Sequence, residues 1–256
     1  MATTSFDLRT AILADGFADE LRRLRATGRL RSVLPELAAM ESSSRHHKDN
    51  VEHSIQVMEN AKSLSEDPKD VVLFVAALFH DVGKPQTFAL ENGTATFTNH
   101  DRVGANMARK FLRKYGFSKD EIDEITVLIR EHMRGHTFKA GWSDSAIRRL
   151  AKEAGSIRQI ERLGIIFGSD STTKNQARRR QFRANAFELR DAMLAILKED
   201  ELKARRPAID GIRVMELTGL KPGRELGAIM KFLNSEEGLA LSEDEATERA
   251  IALARL

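Results

Sequence analysis

Seven histidines are spread through the 256 residues, and cysteine is absent. Without thiols there is no disulfide, no thiolate metal site and no thiol nucleophile. Any bound metal must therefore be held by imidazole and carboxylate. Several of these groups fall where an apolar helix face would carry them. Ile122, Ile125, Ile129 and His132 are spaced by three and four, as are Ile160, Leu163, Phe167 and Asp170. His100 heads a stripe that continues through Gly104, Ala108, Phe111 and Tyr115, and His53 shares a face with Val57, Ala61 and Leu64. His80 and Asp81 close the apolar run VVLFVAALF, where an ionisable pair is costly unless it is paired or metal-bound. Four separate elements thus aim a metal-capable side chain at the interior, towards His80-Asp81. Such a donor set suits manganese, iron, cobalt, nickel or zinc, with magnesium admissible. Two histidines and two carboxylates make one site with room for water. Two further histidines could hold a second ion, with Asp81 bridging. A metal pair of this kind generates hydroxide near neutral pH and clamps both oxygens of an in-line phosphoryl displacement.

The elements that must position these groups read as helices almost throughout. Residues 6–25 and 30–41 predict two short helices broken near Thr27-Gly28. Asp49 or Asn50 caps a helix to about Leu64, and Asp67-Pro68 is a start signal for the apolar helix ending near Gly83 and Pro85. Asn92-Gly93, flanked by alternating Thr, Phe and Leu, predicts one short β-hairpin over about 86–98. Helices follow over about 101–115, from Ser118 to Met133, from Ser143 or Asp144 to Ala154, from Ser156 to Ser171 and over about 175–203. Ser118 with Glu121 and Ser156 with Gln159 are capping-box pairs. The fold class is all-α, a helical bundle with one hairpin and a small helical C-terminal tail. Residues 1–42 form a helical neck, 43–205 the main domain and 206–256 the tail.

Net charge is only +3 although 31% of the residues are charged, which is not the footprint of a nucleic-acid coat protein. Lys174, Arg178, Arg179, Arg180 and Arg183 nevertheless fall within ten positions. They read either as a phosphate-facing patch that could touch tRNA or another RNA, or as a solvated helix face. No apolar stretch reaches the length of a membrane span, and the N-terminus lacks a basic-then-apolar signal pattern, so a cytoplasmic location is the expectation. His46, His47 and His136 fall on loops or helix ends and read as solvent-exposed.

The order His53, His80-Asp81, Asp170 resembles the HD superfamily of metal-dependent phosphohydrolases, and HDVGKP at 80–85 is a fuller match than HD alone. LPEL at 34–37, HHKDNVEHS at 46–54, TFTNHDRVGANMARKFL at 96–112, Glu131-His132-Met133 and DGIRVMELTGLKPGRELGAIMKFL at 210–233 are similar to the body and tail of bacterial CCA-adding tRNA nucleotidyltransferases. The likeness covers roughly residues 20–250. Only 52 residues precede His53, too few for the polymerase head, and no nucleotidyltransferase motif is present, so CCA synthesis is not expected. By this resemblance His53, His80, Asp81 and Asp170 are metal ligands, and His100 and His132 complete a dinuclear site. Asp81 and Lys84 are the catalytic residues, and Lys84 also binds the substrate phosphate. Arg102 either touches substrate or simply begins a helix, and the basic run adds Lys174 and Arg178 as candidate substrate contacts. Lys221 and Arg224 offer another anion contact.

The resemblance implies hydrolysis of a phosphate ester. Its substrate would be a phosphorylated small molecule or an RNA end, carrying a 3′ or a 2′,3′-cyclic phosphate. A dNTPase or 5′-nucleotidase activity stays open, as do a di-iron oxygenase and an RNA-binding module with an idle metal site. The HDxxED pattern of alarmone hydrolases is missing, since Val82-Gly83-Lys84-Pro85 follows His80-Asp81, and so is the GYP element of cyclic-di-GMP phosphodiesterases.

Overall fold

A helix that is apolar on every side has no face to turn to water and must be enclosed. α6 (Val71–Phe79) is such a helix, and all nine of its residues are buried. The computed structural model describes residues 6–42, 49–138, 142–204 and 206–255. Within it, α6 packs against α1 (Leu8–Leu13), α5 (Asn50–Leu64), α9 (Lys119–Glu131) and α12 (Ile157–Ser169).

Both ends of α6 are pinned by polar groups. The sequence places its start at Asp67-Pro68, but those residues form a turn, and the helix is capped by Asp70, which accepts from the Leu73 amide at 3.1 Å. Asp70 is the better cap because its other oxygen meets a buried partner: Arg162 Nε donates to Oδ2 at 2.8 Å. Arg162 Nη1 reaches Glu124 (2.8 Å) and Gln159 (2.9 Å), joining α6, α9 and α12. At the far end the helix stops at Phe79, earlier than the sequence suggests. His80 is its C-cap, and Asp81 lies in the turn that follows. Gly83 then caps the short α7 (Lys84–Thr87), with Pro85 in its first turn.

Gly83 is required by a close approach. A Cβ there would sit 2.1 Å from the His100 carbonyl oxygen and 2.6 Å from the Gly104 amide nitrogen. Hydrogen at this position lets the turn after Asp81 lie directly on α8 (His100–Phe111), which is followed by a 3-10 turn over Leu112–Tyr115. Between α7 and α8 stands the antiparallel hairpin β1 (Ala89–Glu91) and β2 (Thr94–Thr96), with Leu90 opposite Ala95. Asn92 and Gly93 both take positive φ (51° and 77°), the twist a two-residue hairpin loop needs.

The predicted first helix is interrupted. α1 ends at Leu13 and α2 (Phe17–Ala26) begins after Gly16, whose φ of 75° breaks the helical path. α3 (Leu30–Val33) gives way to α4 (Pro35–Ala39) because Pro35 has no amide to continue the ladder. Leu8, Ile12, Leu21, Leu34 and Leu37 join the same core as α6. Ser118 with Glu121 forms a complete capping box on α9. Ser156 caps α12 without the reciprocal bond, because the Gln159 side chain turns to the Glu124 carbonyl and to Arg162. α10 (Arg134–Thr137), α11 (Asp144–Ala154) and α13 (Gln176–Ala204) complete the helices of this region.

The chain divides into two compact units, Met1–Leu197 and Lys198–Leu256, with the division inside α13. The second unit holds α14 (Gly211–Thr218), α15 (Arg224–Leu233), α16 (Glu236–Leu239) and α17 (Glu243–Ala254). Its own small core contains Ile209, Val214, Ile229, Leu233, Ala246 and Ala250.

Candidate metal centre

Helix ends deliver the titratable side chains. His80 and Asp81 leave the end of α6, Asp170 is the C-cap of α12 and His132 that of α9. His100 opens α8, and His53 stands in the first turns of α5. Asn60 fastens α5 to α12 by donating to the Ser169 carbonyl at 3.0 Å.

These six side chains converge. Asp170 Oδ1 lies 3.0 Å from His53 Nε2 and 3.4 Å from His80 Nε2. Asp81 stands in the middle with its two oxygens facing different partners. Oδ2 is 3.3 Å from His80 Nε2 and 3.6 Å from His53 Nε2, while Oδ1 is 3.2 Å from His100 Nε2 and 3.8 Å from His132 Nε2. Two overlapping triads have donor atoms all within 4.8 Å of one another: His53, His80 and Asp170, and His80, Asp81 and His132. His80, Asp81, His100, His132 and Asp170 are buried and His53 is half-buried.

The histidine tautomers follow from their outer partners. Nδ1 of His80, His100 and His132 each meets a backbone carbonyl, of Ala77 (2.8 Å), Phe97 (2.8 Å) and Ile129 (2.6 Å). A carbonyl only accepts, so Nδ1 carries the proton and Nε2 of the neutral ring turns its lone pair inward. His100 Nε2 and His132 Nε2 then face each other at 3.2 Å, two acceptors that repel unless a cation lies between or beside them. His80 Nε2 is buried without any hydrogen-bond partner. An orphaned, inward-facing lone pair among two carboxylates and three further imidazoles fits a divalent ion, and this cluster could hold one or two.

The electrostatics agree. Burial disfavours an imidazolium at His80, yet Asp81 and Asp170 outweigh it and push its pKa up to about 10, so that with no cation in the cluster a proton takes the place on Nε2 that an ion would otherwise fill. His132 is driven the other way, to about 3, by burial and then by the charge on His80. Burial would raise both carboxyls, but His80, with Lys84 for Asp81 and His136 for Asp170, holds each well below the usual carboxylate range. The cluster is thus anionic enough to draw a positive charge into a buried position.

Lys84 Nζ donates to Asp81 Oδ2 at 2.6 Å and rests over the Phe97 ring, 5.5 Å from its centroid. Both line the mouth, a pocket of about 520 Å³ that also includes Asn50, Thr98, Met133 and His136. His136 is the residue that sequence reasoning left in solvent. It is exposed, but Nε2 bonds Asp170 Oδ2 at 2.5 Å and its ring meets Phe182 at 5.0 Å. Its signal was present: Ile129, His132 and His136 keep the three-and-four spacing of that stripe. Gly135 makes room for it, since a Cβ there would lie 2.6 Å from the Phe167 ring.

The remaining predicted contacts are not in the pocket. Arg102 lines an adjoining cavity. Lys174 and Arg178 are exposed, just before and on the first turn of α13, and neither lines the pocket mouth. Lys221 and Arg224 belong to the second unit. His46 and His47 lie outside the described residues.

Residues 50–173, which carry this histidine-aspartate hub, match the HD domain family. Over almost its whole length the chain is similar to two tRNA nucleotidyltransferases. It is 27% identical to the A-adding tRNA nucleotidyltransferase of Deinococcus radiodurans over 251 residues, 96% of this chain and 56% of that protein. It is 31% identical to the CC-adding tRNA nucleotidyltransferase of Thermus thermophilus over 248 residues, 94% of this chain and 54% of that protein. The chain therefore spans about half the length of these curated relatives. A bifunctional uridylyltransferase/uridylyl-removing enzyme of Ruegeria pomeroyi matches at 27% over 169 residues, 57% of this chain and 18% of that enzyme. Among the described residues no helix is long and apolar enough to cross a membrane.

Proposed function

We propose that this chain is a metal-dependent phosphohydrolase acting on a nucleotide or on an RNA end bearing a 3′ or 2′,3′-cyclic phosphate. The observation that carries the reading is the bridging position of Asp81, with one oxygen towards His53 and His80 and the other towards His100 and His132. Ligands divided in this way are those of a pair of divalent ions. Bound ions supply Lewis acidity there, lowering the pKa of water and neutralising charge that develops on phosphoryl oxygens. The nitrogen-rich donor set favours manganese, iron, cobalt, nickel or zinc over magnesium.

The chain's own residues do the rest. Lys84 places a compact cation at the mouth, where it meets a phosphate oxygen while its bond to Asp81 keeps the bridging carboxylate in register. His136 holds Asp170 from the solvent side, and His53 is steadied by Thr172 Oγ1 at 3.0 Å from Nδ1. The run Lys174 to Arg183 supplies positive charge on the chain that follows Asp170 and would draw a polyanion inward. The names of the relatives support an RNA or nucleotidyl substrate, since two act on tRNA and one removes uridylyl groups.

The test is metal analysis of the purified chain, then a hydrolysis screen with Mn, Ni, Co and Mg. Nucleotides, 3′-phosphate ends and 2′,3′-cyclic ends form the substrate set. Asp81→Ala and His80→Ala should lose metal and about a hundredfold or more in rate, since His80 belongs to both triads and Asp81 faces histidines of each. Full activity in either variant overturns the reading. Oxygen consumption by iron-loaded protein without phosphate release from any ester would replace it with oxygenase chemistry.

A further inference from the structure

Met133 is a partition. On one side it lines the metal pocket; on the other it lines a second cavity of about 410 Å³. The two are also joined through the backbone at α8, because Asn99 and Asp101 flank His100 and line the second cavity. Whatever holds its phosphate at Lys84 and the metal ligands has this space beside it.

The walls of the second cavity are polar but balanced. Arg102, Arg130 and Arg134 face it together with Asp101, Glu131 and Glu153. Glu131 is buried and spends both oxygens on its neighbours, taking Arg130 Nε at 2.6 Å and Arg134 Nε at 3.4 Å. That leaves two unlike groups without a hydrogen bond. Arg102 is exposed and makes no hydrogen bond or ion pair among the described residues, so its guanidinium turns a donor edge to the cavity that no protein acceptor occupies. Glu153 is the converse: Oε2 is buried without a hydrogen-bond partner, and the nearest cation, Arg134 Nη2, is 3.8 Å away. A second phosphate would suit Arg102 but would meet the unsatisfied carboxylate. A neutral group presenting both an acceptor and an amino donor would satisfy both at once, and Met133 offers it a polarisable contact.

We infer that this cavity binds the base of a nucleotide whose phosphate lies at the metal centre, and that it selects bases with an exocyclic amino group. The inference rests on the phosphohydrolase reading for the placement of the phosphate. Arg102 donates to the ring nitrogen or carbonyl of the base, and Glu153 accepts from its amino group. Cytosine and adenine meet both demands. Uracil, with a carbonyl in place of the amino group, faces Glu153 with a second acceptor.

Calorimetric titration of the manganese-loaded full chain tests this with cytidine and uridine monophosphates, ribose 5-phosphate and inorganic phosphate as probes. Cytidine monophosphate should bind about tenfold tighter than ribose 5-phosphate, and uridine monophosphate should not, for one well-made hydrogen bond to a charged group. Arg102→Ala and Glu153→Gln, both at positions with solvent access, should each erase the cytidine advantage and leave inorganic phosphate unchanged. Equal binding of all organic probes, or no nucleotide binding, overturns the base site. Loss of inorganic phosphate affinity in Arg102→Ala overturns it in favour of a second anion site. Base-dependent binding without turnover of any ester would sink the hydrolase reading and keep the base site. Hydrolysis of p-nitrophenyl phosphate with no cytidine advantage would do the reverse.

Discussion

Replacing Gly83 with alanine adds one carbon at the tightest junction beside the hub. That carbon would start 2.1 Å from the His100 carbonyl oxygen and 2.6 Å from the Gly104 amide, and ordinary contact begins at 3.4 Å. Both obstacles are backbone, so no rotamer change relieves the overlap. The turn after Asp81 and the start of α8 must part by about 1 Å, well over the tolerance of about 0.2 Å in metal–ligand distances. Overpacking of this kind costs about 3 kcal/mol. For a unit of nearly two hundred residues that lowers Tm by about 6–12 °C. The damage should be lopsided. His100 moves away from Asp81 Oδ1, whereas His53, His80 and Asp170 sit on α5, α6 and α12 and keep their places. Scanning calorimetry with metal quantification should therefore show a lower Tm and a lower metal content than the parent. A Gly83→Ala protein with Tm within about 2 °C of the parent and an unchanged metal content would refute the reasoning.

Two further outcomes are expected from sites away from the pocket. Arg162→Met leaves the buried Asp70 carboxylate with only the more distant and exposed Arg158, whose Nη2 is 3.8 Å from Oδ2, and should cost about 3 kcal/mol in urea unfolding; Asp70→Asn in the same chain should recover part of that, and strict additivity of the two would contradict the pairing. Tyr115 is the only tyrosine, half-buried and bonded to Glu36 Oε2 at 2.8 Å. Burial and then that carboxylate raise its pKa, so the folded chain holds the phenol proton when the unfolded chain has lost it. Stability should be full below about pH 10 and fall as pH rises beyond it. Tyrosinate absorbance with a midpoint near 10 in the native protein would disprove the bond, and Glu36→Gln should move the midpoint down.

The sequence was most informative where periodicity and chemistry coincided. A histidine or aspartate continuing an isoleucine stripe has only one direction to point, and His132, Asp170 and His100 are all buried together at the hub. Asn92-Gly93 marked the hairpin because few other pairs accept two positive φ values. Signals that depend on a distant partner were illegible. Asp67 and Asp70 are equivalent caps in one dimension, and it is Arg162, far along the chain, that selects Asp70. The break at Gly16 turns on a left-handed backbone that a helix-compatible composition conceals. His136 reads as exposed because it falls at a helix end, and it is exposed; its bond to Asp170 is what the sequence does not show. Gly135 against Phe167, a contact between remote segments, is what brings it to Asp170. Arg102 and Glu153 were beyond reach as a pair, since only folding sets α8 and α11 around one cavity.

The meeting of His53 with Asp170 has a meaning for the chain as a thread. These residues are more than a hundred positions apart, yet their donor atoms lie 3.0 Å from each other. An ion grasped by both is a reversible cross-link that closes nearly the entire helical sequence between them into a ring. Closing a loop of that size in the unfolded ensemble is worth on the order of 4–5 kcal/mol, comparable to the net stability of many small domains. The ion would then hold the first and last helices of the HD segment as one cooperative unit, and amide protons in α5 and α12 would gain protection together when it binds.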